Sequence, residues 1–152
     1  MQKVRVTKIF TFDMAHALYG YDGACKNIHG HTYQLSITIK GNVLENSYSS
    51  KDGMVVDFTD LKNIVCKNVT NIFDHALVLN ENAKPHKQLE NTLRAQFDKI
   101  IYLPRQPTCE NLLLHFKNIL APLLNIENLI LQYLKLSETP TSYSEWSVED
   151  NL

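Results

Sequence analysis

Cys25-Lys26-Asn27-Ile28-His29-Gly30-His31-Thr32-Tyr33-Gln34-Leu35-Ser36-Ile37-Thr38-Ile39-Lys40 decides how this chain is read. From His31 to Lys40 polar and apolar residues alternate cleanly, and the run ends at Gly41; this is the strongest strand pattern in the sequence. The opening of the stretch carries chemistry. His29 and His31 are two apart, and residues i and i+2 of an extended strand point to one face. Two imidazoles side by side make half of a metal site. His16 follows the apolar run from Phe10 to Ala15 and precedes a loop, Leu18 to Asn27, that holds Gly20, Asp22 and Gly23. If the segments flanking that loop pair antiparallel, His16 returns alongside the other two. Three neutral imidazoles with an open position describe a catalytic zinc rather than a structural one. Zinc suits imidazole and polarises hydroxyl or carbonyl oxygens. The competing reading is three unrelated histidines, two of them flanking a tight glycine turn.

Cys25 precedes His29 by four residues and is placed at the mouth of such a site. Its thiolate could serve as base or nucleophile, with a pKa lowered by a nearby cation. It could instead close the metal's coordination as a fourth ligand, or be a buried hydrophobe. Gly23 and Lys26 beside it favour an exposed loop, and hence the base. Asp74-His75 ends a helical pattern; the acid can hold the imidazole tautomer and support proton transfer, or the pair can simply face the helix dipole. Glu138 follows a strand pattern and could take an amino-pyrimidine edge as a bidentate acceptor, although alone it reads as a surface glutamate. Glu110 suits the start of a helix electrostatically.

Composition narrows the function classes. The 152 residues suit one domain, 1–152, large enough to bury a core without staples. Net charge is −1, which excludes a global basic field for nucleic acid or anionic membrane. Cys25, Cys66 and Cys109 are an odd, dispersed set without a CxxC pair, as expected in a reducing cytoplasm rather than in a disulfide scaffold. The first eight residues alternate charged and apolar and lack a signal-peptide core. No apolar run approaches the ~20 residues of a membrane span. A soluble cytoplasmic protein is expected.

The remaining elements follow from periodicity. Val4 to Phe12 reads as a first strand with a bulge near Lys8. Thr59 is the expected N-cap of a helix whose stripe is Leu61, Ile64, Val65, Val69, Ile72 and Phe73. Lys84-Pro85 reads as a break, Leu89 to Phe97 as a short helix, and Lys99 to Leu103 as a short strand. Thr108 caps a second helix with the stripe Leu112, Leu113, Phe116, Ile119, Leu120 and Leu123. Leu129–Leu136 and Thr141–Val148 are the closing strands. The order ββααββ predicts an α+β fold: a four-stranded antiparallel sheet with two helices on one face.

Taken together these pieces resemble the 6-pyruvoyltetrahydropterin and 6-carboxytetrahydropterin synthase family. The resemblance is carried by Phe12-Asp13-Met14-Ala15-His16, Cys25-x3-His29-Gly30-His31, Gly53-Met54-Val55-Val56-Asp57-Phe58, Asp74-His75 with Leu79-Asn80, Pro107-Thr108-Cys109-Glu110-Asn111, and Glu138-Thr139. It implies a tunnelling fold, with subunits joined through their sheets into a homohexamer of two trimers and sites between subunits. It implies zinc on His16, His29 and His31, and Cys25 as proton acceptor. It further implies a proton relay through Asp74 and His75, pterin anchoring and a share in the relay for Glu138, and substrate contacts from Thr108 and Glu110. The implied substrate is 7,8-dihydroneopterin triphosphate. The three-residue gap between Cys25 and His29 resembles the bacterial carboxy-forming enzymes of queuosine biosynthesis, lyases that release acetaldehyde and triphosphate. The pyruvoyl-forming branch is the alternative, and a closed structural zinc domain is a lower-ranked one. Ala17 stands where many relatives have a basic residue, so Lys26, Arg94 or Arg105 is expected to meet phosphate instead. The stretch Asn82 to Gln106 is longer than the shortest relatives need.

Overall fold

In the computed structural model, which describes residues 2–126 and 128–152, the frame is a long hairpin. Strand β1 (Lys3–His16) and strand β2 (His29–Asn42) pair antiparallel along their whole length, from Lys3 opposite Asn42 to His16 opposite His29. The even residues of β1 and the odd residues of β2 share one face, and there Phe10, Phe12, Met14, Tyr33, Leu35, Ile37 and Ile39 are buried. Strand β5 (Leu129–Thr139) pairs antiparallel with β2, and β6 (Ser142–Ser147) with β5. The bulge expected near Lys8 is absent, because β1 and β2 keep one register throughout. A register shift instead falls at Thr38/Ile39, where β5 joins.

The sheet has six strands, not the expected four, and is mixed rather than purely antiparallel. Strand β3 (Ala76–Asn80) runs parallel to β1, and β4 (Ile100–Leu103) parallel to β3, giving the order β4-β3-β1-β2-β5-β6. Ala76-Leu77-Val78-Leu79 is a short apolar run without alternation, and periodicity cannot distinguish such a run from the end of a helix. The connection between these two strands holds α3 (Lys84–Gln88) and α4 (Glu90–Arg94). Pro85, expected as a break, lies in the first turn of α3, where its missing N–H costs nothing.

The two principal helical segments cover the apolar face. The first opens with α1 (Phe58–Val65), capped by the Asp57 carboxylate accepting from Thr59 N–H, rather than by Thr59. A π-helical segment, Cys66–Thr70, and α2 (Asn71–Phe73) continue it. Leu61, Val65, Val69 and Phe73 are buried. Their uniform spacing of four overshoots the 3.6-residue turn at every step, and the wider π turn keeps them on one stripe. Helix α5 (Cys109–Leu124) carries the expected Thr108 cap, whose hydroxyl accepts from Asn111 N–H. Phe116 meets Phe73 edge to face at 4.9 Å and Phe12 at 6.0 Å, joining both helical segments to the sheet. Among the described residues no helix is long and apolar enough to cross a membrane.

Candidate metal centre and proton-transfer site

The hairpin ladder sets the histidines. His16 faces His29 across the last pair of β1 and β2, and His31 lies one side-chain repeat further along the same face. Gly30 sits between them, opposite Ala15; a Cβ there would stand 3.1 Å from the Met14 carbonyl oxygen, so a side chain would strain the pairing that brings the rings together. The donor nitrogens of His16, His29 and His31 all lie within 4.8 Å of one another.

The protonation pattern of these rings is fixed from behind. His16 Nδ1 lies 2.7 Å from Pro107 O, and His29 Nδ1 lies 2.8 Å from Asn27 O. A carbonyl oxygen can only accept, so both Nδ1 atoms carry hydrogen, and each neutral ring turns a lone pair outward at Nε2. Those two Nε2 atoms are 3.0 Å apart. Facing lone pairs at that distance repel unless a cation lies between them. Two nitrogens bound tetrahedrally to one zinc at ~2.0–2.1 Å stand roughly 3.3 Å apart, so the spacing fits. Burial also pushes the His16 pKa down, which holds this ring in the neutral form that ligates. Cys25 does not belong to the convergent group. It lies half-buried in a single 3₁₀ turn, Ala24–Lys26, beside that group rather than within it.

Glu138 lies beside the trio, its Oε1 3.6 Å from His16 Nε2 and 3.9 Å from His31 Nε2. The buried Tyr33 hydroxyl donates to the same oxygen at 3.1 Å. Burial, and then the Glu138 charge, push the Tyr33 pKa far up, so the phenol remains a donor. Sequence reasoning missed Tyr33, although the two-residue repeat through His29 and His31, carried one step further, reaches it. It also missed Pro107 O.

Asp74 and His75 form a second group with Asp13, separate from the trio. Asp74 Oδ2 stands 3.0 Å from His75 Nδ1, and Asp74 Oδ1 accepts from Asp13 N–H at 2.9 Å. That backbone bond, then the His75 contact, holds the Asp74 carboxyl below the usual carboxylate range. His75 adopts φ 59°, a left-handed conformation that is strained for a side-chain-bearing residue, with its N–H donating to Asp13 O at 2.6 Å. Thr32 Oγ1 donates to Asp13 Oδ1 at 2.6 Å. A cleft of about 910 Å³ runs along this side, bordered by Asp13, His31, Thr32, His75 and, from the β3–β4 connection, Phe97 and Lys99. Lys99 Nζ donates to Asn71 O and Asp74 O, bracing the turn that presents His75.

The other expected residues stand as follows. Thr108 is engaged as a helix cap. Glu110 is exposed in the first turn of α5 and makes no hydrogen bond or ion pair among the described residues. Ala17 is buried against Leu79 and Ile100, so its position belongs to a small core and not to solvent. Arg94 is paired with Glu90 at 3.0 Å, while Lys26 and Arg105 are exposed.

A model of the 6-pyruvoyl tetrahydropterin synthase family matches residues 5–149, and the chain belongs to that family. It is 37% identical over 142 residues to the 6-carboxy-5,6,7,8-tetrahydropterin synthase of Haemophilus influenzae, covering 93% of this chain and 97% of the relative. The enzyme of the same name from Rickettsia typhi is 38% identical over 144 residues, covering 93% and 99%. Among solved structures, the fold is shared with an uncharacterised protein of Wolinella succinogenes at TM-score 0.75 and 16% identity, covering 97% of this chain and 99% of that one. It is also shared with the 6-pyruvoyl tetrahydropterin synthase of Caenorhabditis elegans at TM-score 0.67 and 21% identity, covering 97% and 96%.

Proposed function

We propose that the chain converts 7,8-dihydroneopterin triphosphate and one water to 6-carboxy-5,6,7,8-tetrahydropterin, releasing acetaldehyde and triphosphate, as a lyase of the 7-deazapurine (queuosine) route. The observation that carries this reading is the pair of Nε2 lone pairs converging at 3.0 Å, each set by a backbone carbonyl behind its ring. His16, His29 and His31 would hold zinc, which when bound polarises oxygens of the substrate side chain and acidifies the neighbouring C–H bonds.

The chain's own residues do the proton work. The Cys25 thiolate removes a proton from the substrate side chain. His75, with Nδ1 held by Asp74, presents its other nitrogen to accept or return protons. Glu138 is already committed at the metal end by Tyr33 and the ligand rings, which supports a part in proton transfer. The amino-pyrimidine edge of a pterin lies at the opposite end of its bicyclic ring from the reacting side chain. The unpaired carboxylate of Glu110 therefore suits the anchoring role better than Glu138 does. Exposed Ile28 and Phe97 beside the open cleft support association into a homo-oligomer with sites shared between subunits.

The carboxy-forming outcome is favoured by the three-residue gap between Cys25 and His29 and by the names of the relatives. Incubating zinc-loaded protein with dihydroneopterin triphosphate and weighing the products tests it. Triphosphate with acetaldehyde and a carboxypterin is the expected result. Triphosphate with a pyruvoylpterin selects the other branch, and release of no triphosphate overturns the pterin reading.

A further inference from the structure

We propose that Gln106 is a positioning residue that fixes the loop carrying Cys25 against the metal centre; the inference rests on the role given to Cys25 above. The loop from Leu18 to Asn27 has little packing to hold it, since none of its residues is buried. Its own bonds are few. Leu18 N–H donates to Cys25 O at 2.9 Å and closes the base, and the turns inside have bonds of 3.1 to 3.3 Å. A segment with exposed backbone bonds and no buried apolar contact sits at the low end of local stability. Its order therefore depends on tethers from outside.

Among the described residues, hydrogen bonds from outside reach this loop at two points. At its far end His29 Nδ1–H holds Asn27 O. At its near end the Gln106 side-chain amide grips both backbone groups of Tyr19: Oε1 accepts from Tyr19 N–H at 3.2 Å, and Nε2 donates to Tyr19 O at 2.5 Å. One side chain here does what a neighbouring strand does for a residue in a sheet. The amide is itself braced by Asn80 Nδ2, which donates to its Oε1 at 3.3 Å from the end of β3.

The setting of Gln106 gives this grip its consequence. The next carbonyl along the chain, Pro107 O, orients His16, and the residue after that caps α5. Residues 106–108 thus form one strap from which the metal ligand, the helix start and the cysteine loop are all referenced. Gln106 O accepts from Asn111 Nδ2 and Thr108 N–H through the main chain alone, so replacing the side chain leaves those contacts in place.

Gln106→Met, which keeps the length and loses both hydrogen bonds, is the direct test. Gln106→Glu, which keeps an acceptor for Tyr19 N–H and loses the donor, is its companion. Hydrogen exchange, zinc content and steady-state kinetics are measured on the zinc-loaded wild type and both variants. In Gln106→Met, protection of the Leu18–Asn27 amides is expected to fall about tenfold while β2 and α5 are unchanged. Zinc stays at the wild-type equivalent. A base displaced by about 1 Å lowers kcat by on the order of 10- to 100-fold, with KM within about twofold. Gln106→Glu falls between. Wild-type loop protection, or a KM rise with kcat intact, in Gln106→Met overturns the proposal. If the wild type itself releases no triphosphate, the pterin reading fails, and loop protection still decides whether Gln106 sets the loop.

Discussion

Pro107 O and Asn27 O each accept an imidazole Nδ1–H, at 2.7 and 2.8 Å, and so leave His16 and His29 with bare Nε2 lone pairs. The metal affinity proposed for the trio would therefore rest partly on backbone atoms, which no residue-type pattern displays. His29→Ala is expected to lose the bound zinc outright, measured as metal per chain after dialysis. Cys25→Ala is expected to keep a full equivalent of zinc and lose on the order of 10²- to 10⁴-fold in triphosphate release, the range for removing a general base. Retained turnover would move the base elsewhere. The pH behaviour follows from His16. Its pKa in the fold lies below the ordinary value of 6.5, so the unfolded chain binds the extra proton first. Stability from this group is complete above pH 6.5 and is lost as pH falls through the lower folded value. Urea midpoints of metal-free protein should therefore drop between pH 7.5 and pH 5, and His16→Asn should flatten that dependence.

At the scale of elements, what the sequence displayed and what it hid have physical causes. Strand β2 was legible because one of its faces is buried, which forces alternation from His31 to Lys40. Helix α5 was legible because Thr108 caps it and its stripe has a helical period. Strand β4 was legible only as the short run Lys99 to Leu103, and β3 not at all, because a parallel strand needs no alternation and its pairing partner is set by tertiary contacts. Of the candidate site, the convergence of His16 with the His-x-His pair could be read from spacing. Gln106 and the Pro107 carbonyl could not, because their partners are 87 and 91 residues away; Tyr33 lies one step along the His29–His31 repeat, but its Glu138 partner is 105 residues away. Thr108 ties element to site. Thr108→Ala removes the cap of α5 and should cost about 1 kcal/mol in urea unfolding. Because Pro107 is the preceding residue, zinc affinity should weaken alongside, read by competition with a chromogenic chelator. Unchanged affinity would show that the carbonyl is held without the cap.

Across the whole molecule, the histidine trio and the Asp13–Asp74–His75 group are distinct clusters, and exposed apolar residues flank the cleft beside the second. If a complete site takes its trio from one subunit and its His75 from a neighbour, two inactive variants can complement. Equal mixtures of His29→Ala and His75→Ala chains, unfolded and refolded together, should regain about a quarter of wild-type activity, the random share of sites that draw both intact halves in a symmetric assembly. Failure to regain any would place both halves in one chain.

The unbroken ladder from Lys3–Asn42 to His16–His29 has a further implication. Because cross-strand register aligns the two imidazoles, the tip of the intervening loop, residues 20–23, should accept insertions or exchanges as long as Ala17, Cys25 and Asn27 keep their places. A one-residue slip in the ladder, by contrast, would turn one ring to the opposite face. Varying that tip is therefore expected to leave the three imidazoles aligned, read as an unchanged zinc equivalent per chain.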